Sequence, residues 1–470
     1  MKKTKIICTV GPACMDAEIL KEMVRAGMNV ARLNFSHGTH ESHRAAITLI
    51  RRVREEMGVP LAILLDTKGP EYRIGTFRSG PVTLADGQKF TLTASDEPGD
   101  ETHVSASCAA LADKLCPGDT VLINDGLVRL TVDEIADGDI RCTVVCGGVL
   151  SDRKSMNFPG KVLELPYLSE ADVKDLLFGV EMDVDYVACS FVSTAQDLNQ
   201  VRELLKENGG EKIDLIAKIE NRAGVEHIDE IIDASDGIMV ARGDLGVEIP
   251  YEELPAIQKM LITHCRKRGK RVITATEMLE SMIQNARPTR AETSDVANAV
   301  YDGTSALMLS GETAKGAYPV QAVEAMARIA EETENDINYR KRYAGEVFQI
   351  RSAADAISHA TCALAMDVNA RLIVANTRSG LTARLVSRFR PPMFILGMTT
   401  DAKVWHKLSL SWGVVPYLSE VYNSTDVLFF QAMQAAKESG LASSGERVVI
   451  TGGIINGRSG NTDQIKLVTL

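Results

Sequence analysis

The chain has 470 residues, 45% of them hydrophobic and 24% charged, with a formal net charge of −11. That length exceeds one ordinary core and predicts two or three domains, one of which could be a large α/β barrel. The composition excludes long disorder and the acidic balance excludes a general nucleic-acid binder, while leaving room for a few local Arg and Lys side chains that hold an anionic substrate.

The first residues, Met1 to Lys5, are basic, but the apolar run Ile6–Val10 behind them is too short for a signal-peptide core and leads into Gly11 and Pro12. No apolar stretch approaches the roughly 20 residues a membrane span needs. The nine cysteines are odd in number, scattered and free of CxxC, which predicts reduced thiols and a soluble, cytoplasmic protein. Cys142 and Cys146 lie four apart with no second pair, and are read as structural thiols rather than metal ligands.

From the N-terminus, short runs rich in Val and Ile alternate with stretches at helical spacing. Eight runs read as strands: Lys5–Val10, Asn29–Phe35, Leu61–Asp66, Tyr186–Phe191, Leu215–Ile219, Gly237–Val240, Arg271–Thr274 and Ala306–Leu309. Helices are expected over Asp16–Ala26, His40–Met57, Glu170–Gly179, Asp197–Glu207, Gly224–Asp233, Glu252–Arg268, Ala291–Val300 and from Pro319 to about Asn335. Eight β–α units with near-continuous apolar strands predict a closed parallel (β/α)8 TIM barrel over 1–69 and 167–343, with an open doubly wound sheet as the alternative. Between the third and fourth runs, residues 70–166 change to short alternating segments with turn signals such as Asn124-Asp125-Gly126 and Ala136-Asp137-Gly138, an inserted all-β domain. It follows a strand end on the face where barrel sites lie, so it reads as a hinged lid or as a passive insertion. Residues 344–470 read as a separate α/β domain, with a helix over Ala353–Met366 and buried strands at Leu372–Ala375, Met393–Leu396, Val414–Pro416 and Val448–Thr451.

In a barrel of this kind, functional groups gather at the C-terminal ends of the strands. Those ends carry Arg32, Asn34, Ser36 and His37; Asp66, Thr67 and Lys68; Lys218 and Glu220; Arg242, Gly243 and Asp244; Thr276 and Glu277; and Ser310 and Glu312. Glu220 and Asp244 sit at neighbouring strand ends without His or Cys, which suits Mg²⁺ or Mn²⁺ and not Zn²⁺. Lys218 projects from the same side of its strand as Glu220 and could stabilise negative charge that grows in a transition state. A structural salt bridge between Lys218 and one carboxylate is the other reading. Arg242-Gly243-Asp244-Leu245-Gly246 reads as a glycine-punctuated turn whose N–H groups could approach an anion. Asn34, Ser36, Asp66 and the Thr67 carbonyl offer four oxygens with one full charge, a set for a monovalent cation or a plain hydrogen-bond network. His37 could be an acid–base group or a polar contact.

At these strand ends the sequence resembles the pyruvate kinase family. The likeness is carried by Arg32–Gly38, Asp66–Glu71, Ala217–Asn221, Ile238–Gly246, Ala286–Glu292 and Met308–Gly316, in order and at family spacing. The resemblance implies a bacterial-type enzyme with barrel, β lid and C-terminal α/β domain. It would transfer the phosphoryl group of phosphoenolpyruvate to ADP, giving pyruvate and ATP in the last step of glycolysis. It implies Mg²⁺ on Glu220 and Asp244, K⁺ on Asn34, Ser36, Asp66 and Thr67, and Lys218 stabilising the phosphoryl group in flight. Arg32 would hold the substrate phosphate, and Gly243 and Asp244 its carboxylate. Thr276, with Ser310 and Glu312 near it, would line the face where the enolate is protonated. Arg73 and Lys154 would meet the nucleotide, with Asn34 and His37 beside it.

Relatives that dispense with K⁺ tend to carry Lys where this chain has Glu71, so K⁺ dependence is expected. Glu277 stands where many relatives have Gln, Ser42 where several have Tyr, and Arg153 could share the role of Lys154. Thr377, Arg378, Ser379, Gly380 and Thr382 resemble the family's effector loop, for a sugar phosphate or AMP; a simple strand–helix turn is the other reading. The second effector segment, Ile455–Thr462, diverges and does not identify the ligand. The family is usually a homotetramer. Two other functions fit less of the chain. A metal-dependent carbon–carbon lyase would use Glu220 and Asp244 but give no reason for Arg73 and Lys154 in a lid. A non-catalytic sensor or scaffold would not need the intact set.

Overall fold

The computed structural model describes residues 1–106, 111–161, 166–421, 424–453 and 461–470. Cys108 and positions 455–460 of the second effector segment lie outside the described residues. Eight parallel strands close a barrel: Lys5–Thr9, Val30–Asn34, Ala62–Asp66, Tyr186–Cys189, Asp214–Ile219, Gly237–Ala241, Arg271–Ala275 and Ala306–Leu309. The first strand pairs with both the second and the eighth, which closes the ring and removes the open-sheet alternative. Seven of the eight strands are buried along their full length, and the second is buried up to Asn34. Side chains fill one face and helices cover the other, which is why these strands lack polar alternation.

The helices are set by local signals. Thr39 caps His40–Met57 and Gly58, at φ 62°, ends it. Ser42 serves that cap: its hydroxyl accepts from Thr39 N at 2.9 Å and donates to Thr39 O at 2.8 Å. Two expectations need correction. Arg242–Gly246 is not a free turn but the start of a short helix, Arg242–Glu248. The helix expected over Gly224–Asp233 is two helices, Arg222–Glu226 and Ile228–Ala234, meeting at His227. The helix Tyr339–Gly345 and the edge strand Gln464–Thr469 were not anticipated. That strand is mostly half-exposed, so no continuous apolar run marks it.

After the third barrel strand the chain forms a seven-stranded sheet and a two-stranded sheet with their own apolar core. Gly69, at φ 72°, opens this excursion; a Cβ there would meet Ser190 Cβ at 2.8 Å. The C-terminal region forms a five-stranded sheet, parallel except for its last strand. It covers the floor of the barrel, opposite the strand C-termini. Leu410 is fully buried within the barrel's interior cluster beside Ile7, Tyr186 and Met239, a burial that stabilises by about 1.5–3 kcal/mol. Around this plug Lys5 Nζ donates to Val414 O at 2.6 Å and the Tyr186 hydroxyl donates to Lys407 O.

Candidate active site

The strand register builds the centre of the site. Asn34 and Asp66 are partners on neighbouring strands. Asp66 is fully buried and bridges two cations: Arg32 Nε lies 2.6 Å from its Oδ2 and Lys218 Nζ 3.0 Å from its Oδ1. Burial alone would raise the Asp66 carboxyl, but Arg32 and Lys218 outweigh it and hold it below the usual range. Arg32 also donates to Thr9 Oγ1 at 2.9 Å, which fixes its guanidinium at the rim of the first strand.

Lys218 Nζ is 2.9 Å from Glu220 Oε1 and donates to Ser190 Oγ at 2.7 Å. Burial opposes its charge, yet Asp66, Glu220 and Asp244 together raise it above the ordinary lysine value. Ser190 had no place in the expectations drawn from sequence, because it lies inside the run Tyr186–Phe191, which reads as an apolar strand. Its hydroxyl donates to Thr67 O at 2.6 Å and its N–H to Thr67 Oγ1 at 3.1 Å, so it ties the third, fourth and fifth strand ends together.

Glu220 is fully buried. Its Oε2 accepts Phe191 N at 2.6 Å, whereas Oε1, though close to Lys218, accepts no hydrogen bond. Burial pushes this carboxyl up to about 7, Lys218 opposes the rise and Asp244 adds to it. A buried acceptor facing a second carboxylate is the environment a hard divalent cation would relieve. Among the described residues no three His, Cys, Asp or Glu side chains form a metal cage. Mg²⁺ does not require one, since it commonly takes one or two carboxylates and completes its shell with water and phosphate oxygens. The residues present therefore fit the ion.

The seventh strand end is held in an uncommon backbone shape. Thr276 and Glu277 have φ of 68° and 52°, the left-handed region that β-branched Thr rarely adopts. Arg242 secures it. Its Nη1 makes a two-pronged contact with Asp295 at 2.8 and 2.7 Å, its Nη2 donates to Thr276 O at 2.6 Å and Glu277 O at 3.2 Å, and its Nε donates to Ala275 O at 3.3 Å. The Thr276 hydroxyl accepts Gly243 N at 2.7 Å and donates to Ala275 O at 2.6 Å, which sets it beside the Gly243–Asp244 backbone. The Glu277 side chain points into solvent. At the eighth strand end, buried Glu312 accepts Leu279 N at 3.1 Å and Ser310 N at 2.7 Å, while Ser310 Oγ is buried without a partner.

Other expected residues lie farther out. Ser36 and His37 are exposed, and Asn34 Oδ1 accepts Ser36 N at 3.1 Å. The His37 carbonyl contacts a His43 ring nitrogen at 2.9 Å. In the lid, Arg73 pairs with Glu71 and donates to Arg153 O at 2.7 Å. Lys154 O accepts Ile74 N at 2.9 Å, so Arg73, Arg153 and Lys154 share the lid base. That base reaches the barrel where Asn157 Nδ2 donates to Glu248 Oε1 at 2.8 Å. Thr377–Thr382 joins the strand Leu372–Asn376 to the helix Leu381–Arg388 in the C-terminal domain, away from the mouth. Gly380, at φ 83°, caps the helix Leu381–Arg388, Thr382 Oγ1 meets Thr462 Oγ1 at 2.7 Å, Ser379 is half-buried and Arg378 is exposed.

Residues 1–323 match the family described as pyruvate kinase, barrel domain, and residues 355–468 the one described as pyruvate kinase, alpha/beta domain. A pyruvate kinase of Clostridium acetobutylicum is 47% identical over 469 residues, covering 99% of each chain. One of Geobacillus stearothermophilus is 45% identical, covering 99% of this chain and 80% of its own. The crystal structure of a pyruvate kinase from Cryptosporidium parvum superposes with a TM-score of 0.94 at 40% identity, covering all of this chain and 96% of the other. A metal-ready carboxylate pair beside a buried lysine, at the mouth of a closed barrel that aligns end to end with such enzymes, leaves one assignment: the chain belongs to the pyruvate kinase family, phosphotransferases that pass the phosphoryl group of phosphoenolpyruvate to ADP.

Proposed function

We propose that the barrel mouth divides this reaction among the residues just described. Glu220 and Asp244 would hold Mg²⁺ or Mn²⁺, which supplies positive charge to the substrate's phosphate and carboxylate oxygens. Arg32 receives the phosphate of phosphoenolpyruvate, and the N–H groups of Gly243 and Asp244 receive its carboxylate. Lys218 lies on the path of the phosphoryl group and neutralises charge as it moves; such transfer depends on positioning and charge more than on covalent chemistry. Its ammonium, held by two carboxylates and Ser190, cannot drift from that position. This held lysine, ion-paired to a Glu220 oxygen that accepts no hydrogen bond, is the observation that carries the assignment.

After transfer, the enolate takes a proton on the Thr276 face. The Thr276 hydroxyl donates to Ala275 O in this structure, so it must turn away from that carbonyl to donate elsewhere. Ser310 Oγ, buried and unpartnered, is available to relay through water, with Glu312 anchored behind it by two backbone N–H groups. Asn34, Ser36, Asp66 and Thr67 would hold K⁺. Arg73 and Lys154 would close on the nucleotide phosphates from the lid, 70–166, with Asn34 and His37 at the opposite rim. The segment Thr377–Thr382 of the C-terminal domain, 344–470, would bind a sugar phosphate or AMP as effector. We assign the barrel to 1–69 and 167–343, the assembly to a homotetramer and the location to the cytoplasm. Among the described residues no helix is long and apolar enough to cross a membrane.

The test is ADP-dependent formation of pyruvate from phosphoenolpyruvate, followed by coupled lactate production. It is run with and without K⁺, and with fructose 1,6-bisphosphate, AMP or ribose 5-phosphate added. Pyruvate formation that needs no ADP would favour a lyase. Equal rates with and without K⁺ would remove the K⁺ assignment.

A further inference from the structure

The barrel floor meets the C-terminal domain at a small recess, far from the mouth and separate from the Thr377–Thr382 loop. Six cationic side chains line it: Arg266, Lys270 and Arg271 from the barrel, and Arg384, Arg388 and Arg390 from the C-terminal domain. Among the described residues no carboxylate lines it. Among the described residues, those within 4.0 Å of the six cations are Glu346 on Arg266, Asp355 on Arg388, and Asp214, which Arg271 and Arg384 share with Lys407. Arg390 has no carboxylate within that distance. It donates to the carbonyls of Ser387 and Gly303 and the hydroxyls of Ser387 and Ser305. Positive charge therefore exceeds negative charge in a buried place, where uncompensated ions are costly.

A second observation points to what compensates it. Arg266, Arg388 and Arg390 are between 4% and 8% exposed, and each has a buried Nε with no acceptor. Burial and the neighbouring Arg266 also pull the Arg390 guanidinium down to about 9, as expected of a charge lacking a counter-ion. The recess has room for about one water-sized particle. Unpartnered donors on converging guanidinium groups suit a small anion, because Arg presents planar, charge-assisted hydrogen bonds.

We propose that this recess is a binding site for one small monatomic anion, chloride. The bound ion would tie the two domains together, since Arg388 also donates to Lys267 O at 3.0 Å and Arg390 to Gly303 O at 2.9 Å across the same boundary.

The test uses the full chain. Crystals soaked in potassium bromide should show an anomalous peak among Arg266, Arg388 and Arg390; bromide peaks elsewhere with none here would overturn the proposal. In solution, Tm is compared in potassium gluconate, chloride and phosphate at equal K⁺ and ionic strength. Chloride should raise Tm over gluconate by roughly 2 °C. A response confined to phosphate would assign the effect to the phosphate-binding regions elsewhere and overturn this one. The variant Arg390→Met should lose the chloride response, read as its own Tm difference between chloride and gluconate, because it removes one of the unpartnered donors. A chloride response unchanged in Arg390→Met would refute the site. Should that variant fail to fold, the bromide map of the parent decides.

Discussion

Replacing Lys218 by Met keeps the stem and removes the ammonium. The structure sets what is lost: a hydrogen bond to Ser190 at 2.7 Å and ion pairs to Glu220 at 2.9 Å and Asp66 at 3.0 Å. At an effective dielectric of about 20, each pair carries roughly 5 kcal/mol of gross Coulomb attraction, much of it offset by desolvation. The two carboxylates fare differently. Asp66 keeps Arg32 at 2.6 Å, whereas Glu220 loses the ammonium that restrains its raised carboxyl. The fold should lose about 3–5 kcal/mol, the range for breaking a buried pair. The rate should fall further than binding does, because Lys218 acts on charge that develops during transfer. By comparison with a lost transition-state donor, kcat drops about 10²–10³-fold, with a smaller change in KM for phosphoenolpyruvate. The assay is coupled pyruvate formation at saturating Mg²⁺ and K⁺, with thermal unfolding run alongside. A folded variant that keeps kcat within about threefold of the parent would refute the role of Lys218.

Other consequences follow from the same geometry. Asp244→Asn should raise the Mg²⁺ concentration needed for half-maximal rate by at least ~10-fold, measured by metal titration after chelation; an unchanged requirement would place the ion elsewhere. Arg242→Lys loses the two-pronged contact with Asp295 and the grip on the Thr276 and Glu277 carbonyls. It should slow enolate protonation about 10-fold, for a charged hydrogen bond of roughly 1.5 kcal/mol or more. Solvent isotope effects and phosphoryl-transfer rates measured separately test this, and equal slowing of both steps would count against it. Asp214 is a pH case. Burial would raise its carboxyl, but Arg271, Lys407 and Arg384 outweigh it and hold it well below the usual range. The folded form therefore binds its proton more weakly than the unfolded chain does. The stabilisation is present above the unfolded value of about 4 and is lost as pH falls toward the folded value. The Tm gap between the parent and Asp214→Asn should be flat at neutral pH and narrow in acid. A gap that widens in acid would reverse the sign of the argument.

The barrel was legible because each strand is buried on both faces, so the pattern of eight apolar runs is nearly the pattern of eight strands. The polar residues interrupting their C-terminal ends then marked the mouth, and Lys218, Glu220 and Asp244 stood out by chemistry and spacing. Sequence patterning did not reach Ser190, which lies inside an apolar run and matters only because the third and fifth strand ends flank it. Nor did it show that Arg242 grips the carbonyls of Thr276 and Glu277, residues 34 and 35 positions away along the chain. The edge strand Gln464–Thr469 was missed for the converse reason, since one exposed face leaves no continuous apolar signal.

What the sequence determined by itself was therefore local and repetitive: eight β–α units, an inserted β segment, a final α/β segment, and the lysine with its carboxylates. Tertiary structure alone decided the rest. The protonation tendency of Glu220 depends on complete burial and on Asp244 across a strand boundary. The seat of Leu410 inside the barrel, and the meeting of six cations at its floor, join segments more than 100 residues apart. Periodicity reports which face of an element is covered. It does not report which distant charge does the covering, and that pairing sets the electrostatics of the site.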